Sequence, residues 1–496
     1  MKTHSGVCKT LLLIGMGLMI PCYLFTAGNT VLSPWPLYDR NRLALAVLMP
    51  LCLVLLLASG RAAKARVFEK HERAVLLGFA AFYFVIQLAM ASALRFTPVT
   101  DLEQCVTAAR RLAQTGEFGD SERSLIYFGR YPHNMGLVYG LAAIFRIAGA
   151  LGVDELMAAA FVCGLLFTAG LLCAARLCRR LGGAQAQARV LLLFVTCLPF
   201  LYCTSELYTD AFSVAFAPMV VFAYLKARDA QSRRARALWA LLFAACSFFG
   251  AQIRFPTIIA AIACLIAALF EKRVKLTALL AVPLALVFAV GGSIVGAAND
   301  ANLGAENIAK NKLPKLHYIA MGLPVQSDEG YGQYGYGGWL IFSTSFDDPQ
   351  ARDAALLQEV IDRAYTLARH PDKLLSTLSR KNLSTFGRGT FNLNEIFEAD
   401  EHEADNAVKQ VVFESGRFNR AYTHLATAMF AAQMLLACMA CAQAIHRRDT
   451  SAAPLFLTLL GAFLFLSIWE TRARYFFQFM MILLCAGAMF APKRGN

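Results

Sequence analysis

Charge is scarce in this chain. Only 16% of its 496 residues are Asp, Glu, Lys or Arg, where a soluble domain carries about a quarter. Hydrophobic residues reach 58% and mean hydropathy is +0.51. That balance excludes an ordinary water-soluble protein, and apolar runs of roughly 20 residues match the thickness of a bilayer. Histidine is also sparse, with 8 residues. Neither His133 nor His317 has a second histidine at ligand spacing, which argues against zinc. The 14 cysteines are scattered, many inside apolar segments (Cys163, Cys173, Cys197, Cys264), and suggest no disulfide framework. Acids are outnumbered, 33 against 47 Lys and Arg, for a net charge of +14. In a membrane protein that excess marks cytoplasmic loops and calls for no nucleic acid. No internal repeat is visible, whereas transporters usually carry two related halves.

What is present sorts by charge. Basic clusters at 61–73, 176–189, 226–236, 272–275, 447–448 and 493–494 are expected on the cytoplasmic side. Between them lie candidate spans at 9–29, 43–60, 74–94, 155–175, 187–203, 207–225, 237–252, 255–270, 276–298, 422–445, 453–469 and 475–490. The expectation is an all-α polytopic bundle of about twelve transmembrane helices with both termini inside. The first segment reads as a retained signal-anchor, since no small-residue cleavage site follows it. Residues 133–150 are nearly long enough to cross, but counting them would invert every later basic loop. They are therefore expected as a juxtamembrane or re-entrant helix, the alternative being a true span with some other segment not crossing. The chain divides into a transmembrane module (1–298), an ordered extracytoplasmic loop or cap (299–421) with an amphipathic helix near 351–369, and C-terminal spans (422–496).

Polar residues gather at the expected outer face. Thr100-Asp101-Leu102-Glu103 reads as a helix start with a capping box, ended by Gly116. Asp101 is either a cap favoured by the helix dipole or a functional carboxylate at a span end. Glu206 and Asp210 stand four apart, so one helix would place them on one face. Arg254, Arg472 and Arg474 are either snorkelling arginines or a phosphate clamp, for which guanidinium offers planar, multiple donors. Arg130, Tyr131, His133, His317 and the tyrosine run beginning at Tyr331 are candidate substrate contacts.

Several stretches together resemble the membrane-embedded GT-C glycosyltransferases. These are an Asp just after a span, the continuation to LAQTGEF, and the aromatic-Arg-Tyr-Pro segment opening an apolar helix. SELYTDAF, QIRFPT and the terminal RARY follow. The nearest likeness is to the protein O-mannosyltransferase and lipid A aminoarabinose transferase branch, over most of 74–300 and near 470–476. The resemblance implies a helical bundle with juxtamembrane helices in its first outer loop. It implies a polyprenyl-phosphate sugar donor and a glycan, lipid or protein acceptor at the extracytoplasmic face of the plasma membrane. Asp101 matches the first-loop acid, a general base, and Asp210 or Glu206 matches the second acid. Arg254, Arg472 and Arg474 would hold the donor phosphate. No cofactor is obligatory. A divalent cation, Mg²⁺ or Mn²⁺, bridging acids and phosphate would suit hard oxygen ligands. The alternatives are a transporter or flippase of a lipid-linked glycan, and a structural partner in envelope assembly.

Overall fold

The computed structural model describes residues 2–35, 37, 41–62, 65–95, 98–119, 121–326, 329–393 and 404–491, without the side chains of 2–5, 62 and 65–68. Among these residues the regular elements are helices. The chain opens with α1 (Lys2–Gly17), α2 (Met19–Leu32), α3 (Arg42–Ala62) and α4 (Ala65–Ala93). Three shorter helices follow: α5 (Thr100–Thr115), α6 (Glu122–Arg130) and α7 (Met135–Leu151). The bundle continues with α8 (Glu155–Thr196), the short α9 (Thr209–Ser213), α10 (Phe216–Asp229), α11 (Arg233–Ile253), α12 (Ile258–Phe270) and α13 (Val274–Leu303). A helical layer comes next, made of α14 (Ala305–Asn311), α15 (Lys315–Gly322), α16 (Trp339–Thr344), α17 (Pro349–Arg369), α18 (Pro371–Phe386) and α19 (Lys409–Val412). It is succeeded by α20 (Asn419–His446), α21 (Ala453–Ile468) and α22 (Met480–Ala488).

Local chemistry sets several boundaries. Gly116 stops α5 in the left-handed region, at φ 79°, which only glycine adopts without cost. The Asp154 carboxylate accepts from the Met157 amide at 2.8 Å and caps α8. Asp348 accepts from the Gln350 amide at 2.9 Å, with Pro349 in the first helical position of α17. The capping box expected at Thr100 is not formed. Thr100 is itself the first helical residue, at φ 51°, and no side chain caps α5.

The main core joins α2, α8, α10, α20 and α22, all rich in fully buried apolar residues. Its outer surface is apolar as well: α13 exposes Val282, Leu286, Val290 and Ile294 in one row. A row of aliphatics facing water along a whole helix would oppose folding, whereas a bilayer accepts it. A second core lies under the first loop, where Leu102, Cys105 and Val106 of α5 meet Val138, Leu141 and Phe145 of α7.

Among the described residues, nine helical segments are long and apolar enough to cross a membrane, and three more apolar helices are shorter. This differs from the twelve separate spans expected. Residues 155–175 and 187–203 belong to one run, α8, interrupted at Gly183 (φ 72°, ψ −169°). Beyond Thr196 the chain leaves the α-helix for 3₁₀ turns. Residues 132–151 satisfy the length and apolarity of a span. The helix α7 alone has 17 residues, about 25 Å, against about 30 Å of hydrocarbon. The 14 cysteines are all free. The closely spaced pair Cys438 and Cys441 faces the buried side of α20, donating to the Ile20 and Met16 carbonyls.

Two glycines bring the layers together at one end of the bundle. A Cβ on Gly136 would stand 2.3 Å from the Gln252 carbonyl, so α7 begins directly against the end of α11. A Cβ on Gly322 would stand 2.3 Å from the Ile468 carbonyl, so α15 closes on the end of α21. At the opposite end, Arg176 pairs with Glu72 and Arg180 with Asp229.

Candidate functional site

The space between these contacts is a cavity of about 1140 Å³, larger than most single-ligand pockets. Asp101, Arg254, Arg472 and Arg474 all line it. Arg123, Arg130, Lys312 and Lys315 add further cationic groups, against the carboxylates of Asp101, Asp300 and Glu470. A wall with this surplus of fixed positive charge favours an anionic guest.

Asp101 is held from the side. Its Oδ1 accepts a 2.9 Å hydrogen bond from the Tyr127 hydroxyl, which in turn accepts from Asn134 Nδ2 at 2.9 Å. Burial, reinforced by Tyr208 and Asp101, pushes the Tyr127 hydroxyl far above its ordinary range. Tyr127 therefore remains a donor and fixes the direction of the carboxylate. The other oxygen, Oδ2, lies 3.8 Å from Arg474 Nη2, and the side chain stays half-exposed to the cavity.

The arginines are anchored from behind. Asp210 is fully buried, with Oδ1 3.1 Å from Arg254 Nη1 and Oδ2 3.5 Å from Arg474 Nε. Arg254 also donates to the Thr209 hydroxyl at 2.7 Å and lies over the Tyr475 ring at 4.4 Å. Arg474 lies over the Tyr208 ring at 5.3 Å. Arg472 donates to the Tyr334 carbonyl at 3.4 Å. One carboxylate thus lies against two guanidinium groups, and both arginines line the cavity. That arrangement suits a phosphate, which matches the guanidinium fork.

Of the residues singled out from sequence, Asp101, Arg130, Tyr131, His133, Arg254, Arg472 and Arg474 share the cavity wall. Four others do not line it. Asp210 lies behind the arginines. Glu206 is buried, and its Oε2 accepts from the Ala211 amide at 2.9 Å, capping α9. Burial, with the neighbouring Asp210 charge, raises its carboxyl above the ordinary range. These two acids do not share one helix, because Leu207 at φ 49° separates the turns that carry them. His317 is buried beneath α16, where Nδ1 and the Ser343 hydroxyl share a 2.7 Å hydrogen bond. Tyr331 offers its backbone carbonyl to the Thr471 hydroxyl at 2.9 Å. The tyrosine of that run reaching the cavity is Tyr334, whose hydroxyl meets that of Tyr131 at 2.7 Å.

Sequence reasoning missed Tyr127, Tyr318, Trp469 and Glu470. Tyr127 opens the aromatic and basic stretch that runs on to His133, and Glu470 lies between the candidate spans 453–469 and 475–490, two residues before Arg472. Among the described residues, no three His, Cys, Asp or Glu side chains gather as a metal-binding group. A cation bridging acids to phosphate would have to draw on fewer protein carboxylates.

Residues 382–494, which include Glu470 and both terminal arginines, match a family model described as conserved hypothetical integral membrane protein. Among its described residues the chain is helical, and it is an integral membrane protein. No curated protein and no solved structure matches it.

Proposed function

We propose that this protein is a GT-C-type glycosyltransferase, moving a sugar from a polyprenyl-phosphate donor to an acceptor hydroxyl at the extracytoplasmic membrane face. One observation carries the reading: Asp101, Arg254, Arg472 and Arg474, far apart in sequence, line a single cavity. The acceptor oxygen attacks the sugar C1, and the C1–O bond to phosphate breaks. The acceptor proton passes to Asp101, and polyprenyl phosphate leaves with its new charge held by the arginines. Proton transfer to a positioned carboxylate contributes roughly 10²–10⁴-fold. Donors already fixed where charge develops contribute without reorganisation, and Asp210 supplies that fixity.

The test is release of polyprenyl phosphate from radiolabelled polyprenyl-phosphate sugars by purified protein. Release is expected from the unmodified protein, with a raised donor KM in at least one of Arg254→Gln, Arg472→Gln and Arg474→Gln. Normal donor affinity in all three variants would place the phosphate elsewhere. Movement of intact donor across a vesicle membrane without release would favour a flippase.

A further inference from the structure

Besides the three arginines assigned to the donor phosphate, the cavity wall carries four more cations. Arg123 and Arg130 stand on α6, and Lys312 and Lys315 bracket the turn from α14 into α15. All four line the cavity. Arg123, Lys312 and Lys315 are exposed and Arg130 is partly so, so the set is presented to a guest. The ion pairs at the cavity join Asp210 and Asp101 to Arg254 and Arg474. Among the described residues, none joins a carboxylate to any of the other four. Asp300 also lines the cavity and stands outside these pairs as well.

The wall that carries them is firmly built. Arg123, Tyr127 and Arg130 are spaced i, i+4, i+7 and share one face of α6. α14 packs closely on that helix. Asn307 Nδ2 donates to the Leu125 carbonyl at 2.9 Å, and a Cβ on Gly129 would stand 3.0 Å from the same Nδ2. The Leu313 amide donates to the Arg130 carbonyl at 3.4 Å, which sets Lys312 beside the end of α6. Lys315 lies over the Phe255 ring at 5.2 Å.

The same face of α6 also serves the proposed base. Tyr127, between the two arginines, holds Asp101 through its hydroxyl. Asp101 is the group that takes the acceptor proton in the proposed reaction, so an acceptor lying against it lies near this wall. The donor arginines come from other elements, the end of α11 and the segment before α22. Fixed cations without paired acids attract an anion across a partly shielded cavity. A cavity of about 1140 Å³ has room for a second ligand beside the donor head group.

We infer that Arg123, Arg130, Lys312 and Lys315 form the acceptor subsite, and that the acceptor carries an anionic group, a phosphate or a carboxylate, close to the hydroxyl that receives the sugar. The inference rests on the glycosyltransferase reading and narrows its acceptor.

The experiment is ligand-detected NMR on the full-length protein in detergent, saturated with farnesyl phosphate so that the donor arginines are filled. The probes are glucose, glucuronic acid and glucose 6-phosphate. At least one anionic sugar is expected to bind about tenfold or more tightly than glucose, as for hydrogen bonds to charged groups, and which of them does so identifies the anion. Arg123→Gln combined with Lys312→Gln removes two exposed charges and no buried packing. This double variant is expected to weaken that sugar by about tenfold, while farnesyl phosphate, measured by calorimetry, keeps its affinity. Arg254→Gln should weaken farnesyl phosphate instead. The inference is overturned if glucose binds as tightly as both anionic sugars, if no sugar binds, or if the double variant leaves the anionic sugar unaffected. It is equally overturned if farnesyl diphosphate binds far more tightly than farnesyl phosphate and the double variant abolishes that gain, because the four cations then serve a second donor phosphate. Each of these outcomes leaves the donor site standing. Failure of farnesyl phosphate to bind would instead remove the donor site, and with it the assignment of this wall to an acceptor.

Discussion

Asp101 differs from Asp210 and Glu206 in what its oxygens do. Asp210 is committed to two arginines and Glu206 to a backbone amide. Asp101 has one oxygen oriented by Tyr127 and one facing the cavity. Asp101→Asn is therefore expected to lower kcat by roughly 10²–10⁴-fold with little change in donor KM. Thermal stability should be retained, since no cap is lost. Turnover near that of the unmodified protein would remove Asp101 as the base. Its neighbour Thr100 holds a β-branched side chain at φ 51°, an arrangement that costs about 1–2 kcal/mol and tends to persist at functional sites. Thr100 is exposed, so Thr100→Gly relieves strain without losing burial. It is expected to raise stability by about 1 kcal/mol while lowering turnover, because Asp101 loses its fixed direction. A fall in melting temperature would contradict the strain. At this scale the sequence showed which residues were out of place in an apolar chain. It could not show which acid faces outward, because Asp210 is buried by arginines 44 and 264 positions away.

The elements were legible where periodicity and stop signals agree. α5 ends at its glycine, and α17 ends just before Pro371. The apolar runs became helices. Boundaries failed where a single left-handed residue decides them: Gly183 within α8 and Leu207 between Glu206 and Asp210 carry no hydropathy signal. The aromatic-glycine run after 330 lacks any period, so its choice of Tyr334 over Tyr331 could not be read. The α15–α16 pair yields a pH test. Burial, with Arg352 nearby, pulls His317 from 6.5 down to about 4, so the folded protein keeps it neutral. A depressed folded value means stability is present above pH 6.5 and is lost as pH falls toward 4, by about 3 kcal/mol. Melting temperatures from pH 7.5 to 4.5 should fall more steeply for the unmodified protein than for His317→Gln. Parallel slopes would show that His317 is not held neutral.

For the whole molecule, the cavity lies at the end of the bundle away from the Arg176–Glu72 and Arg180–Asp229 pairs. In the proposed orientation those pairs are cytoplasmic and the cavity faces outward. A cysteine placed at Glu117 should be labelled from outside intact cells and one at Gln231 should not, each read against the unmodified protein. The reverse pattern would turn the cavity inward and end the extracytoplasmic reading. The central claim is that the cavity holds a lipid phosphate between its arginines with Asp101 beside the sugar. The most direct measurement is an experimental structure with a non-hydrolysable polyprenyl-phosphonate sugar bound. The expected result is phosphonate density in contact with at least one of Arg254, Arg472 and Arg474, and the sugar C1 on the Asp101 side. Phosphonate density outside this cavity, or within it but away from all three arginines, would contradict the claim.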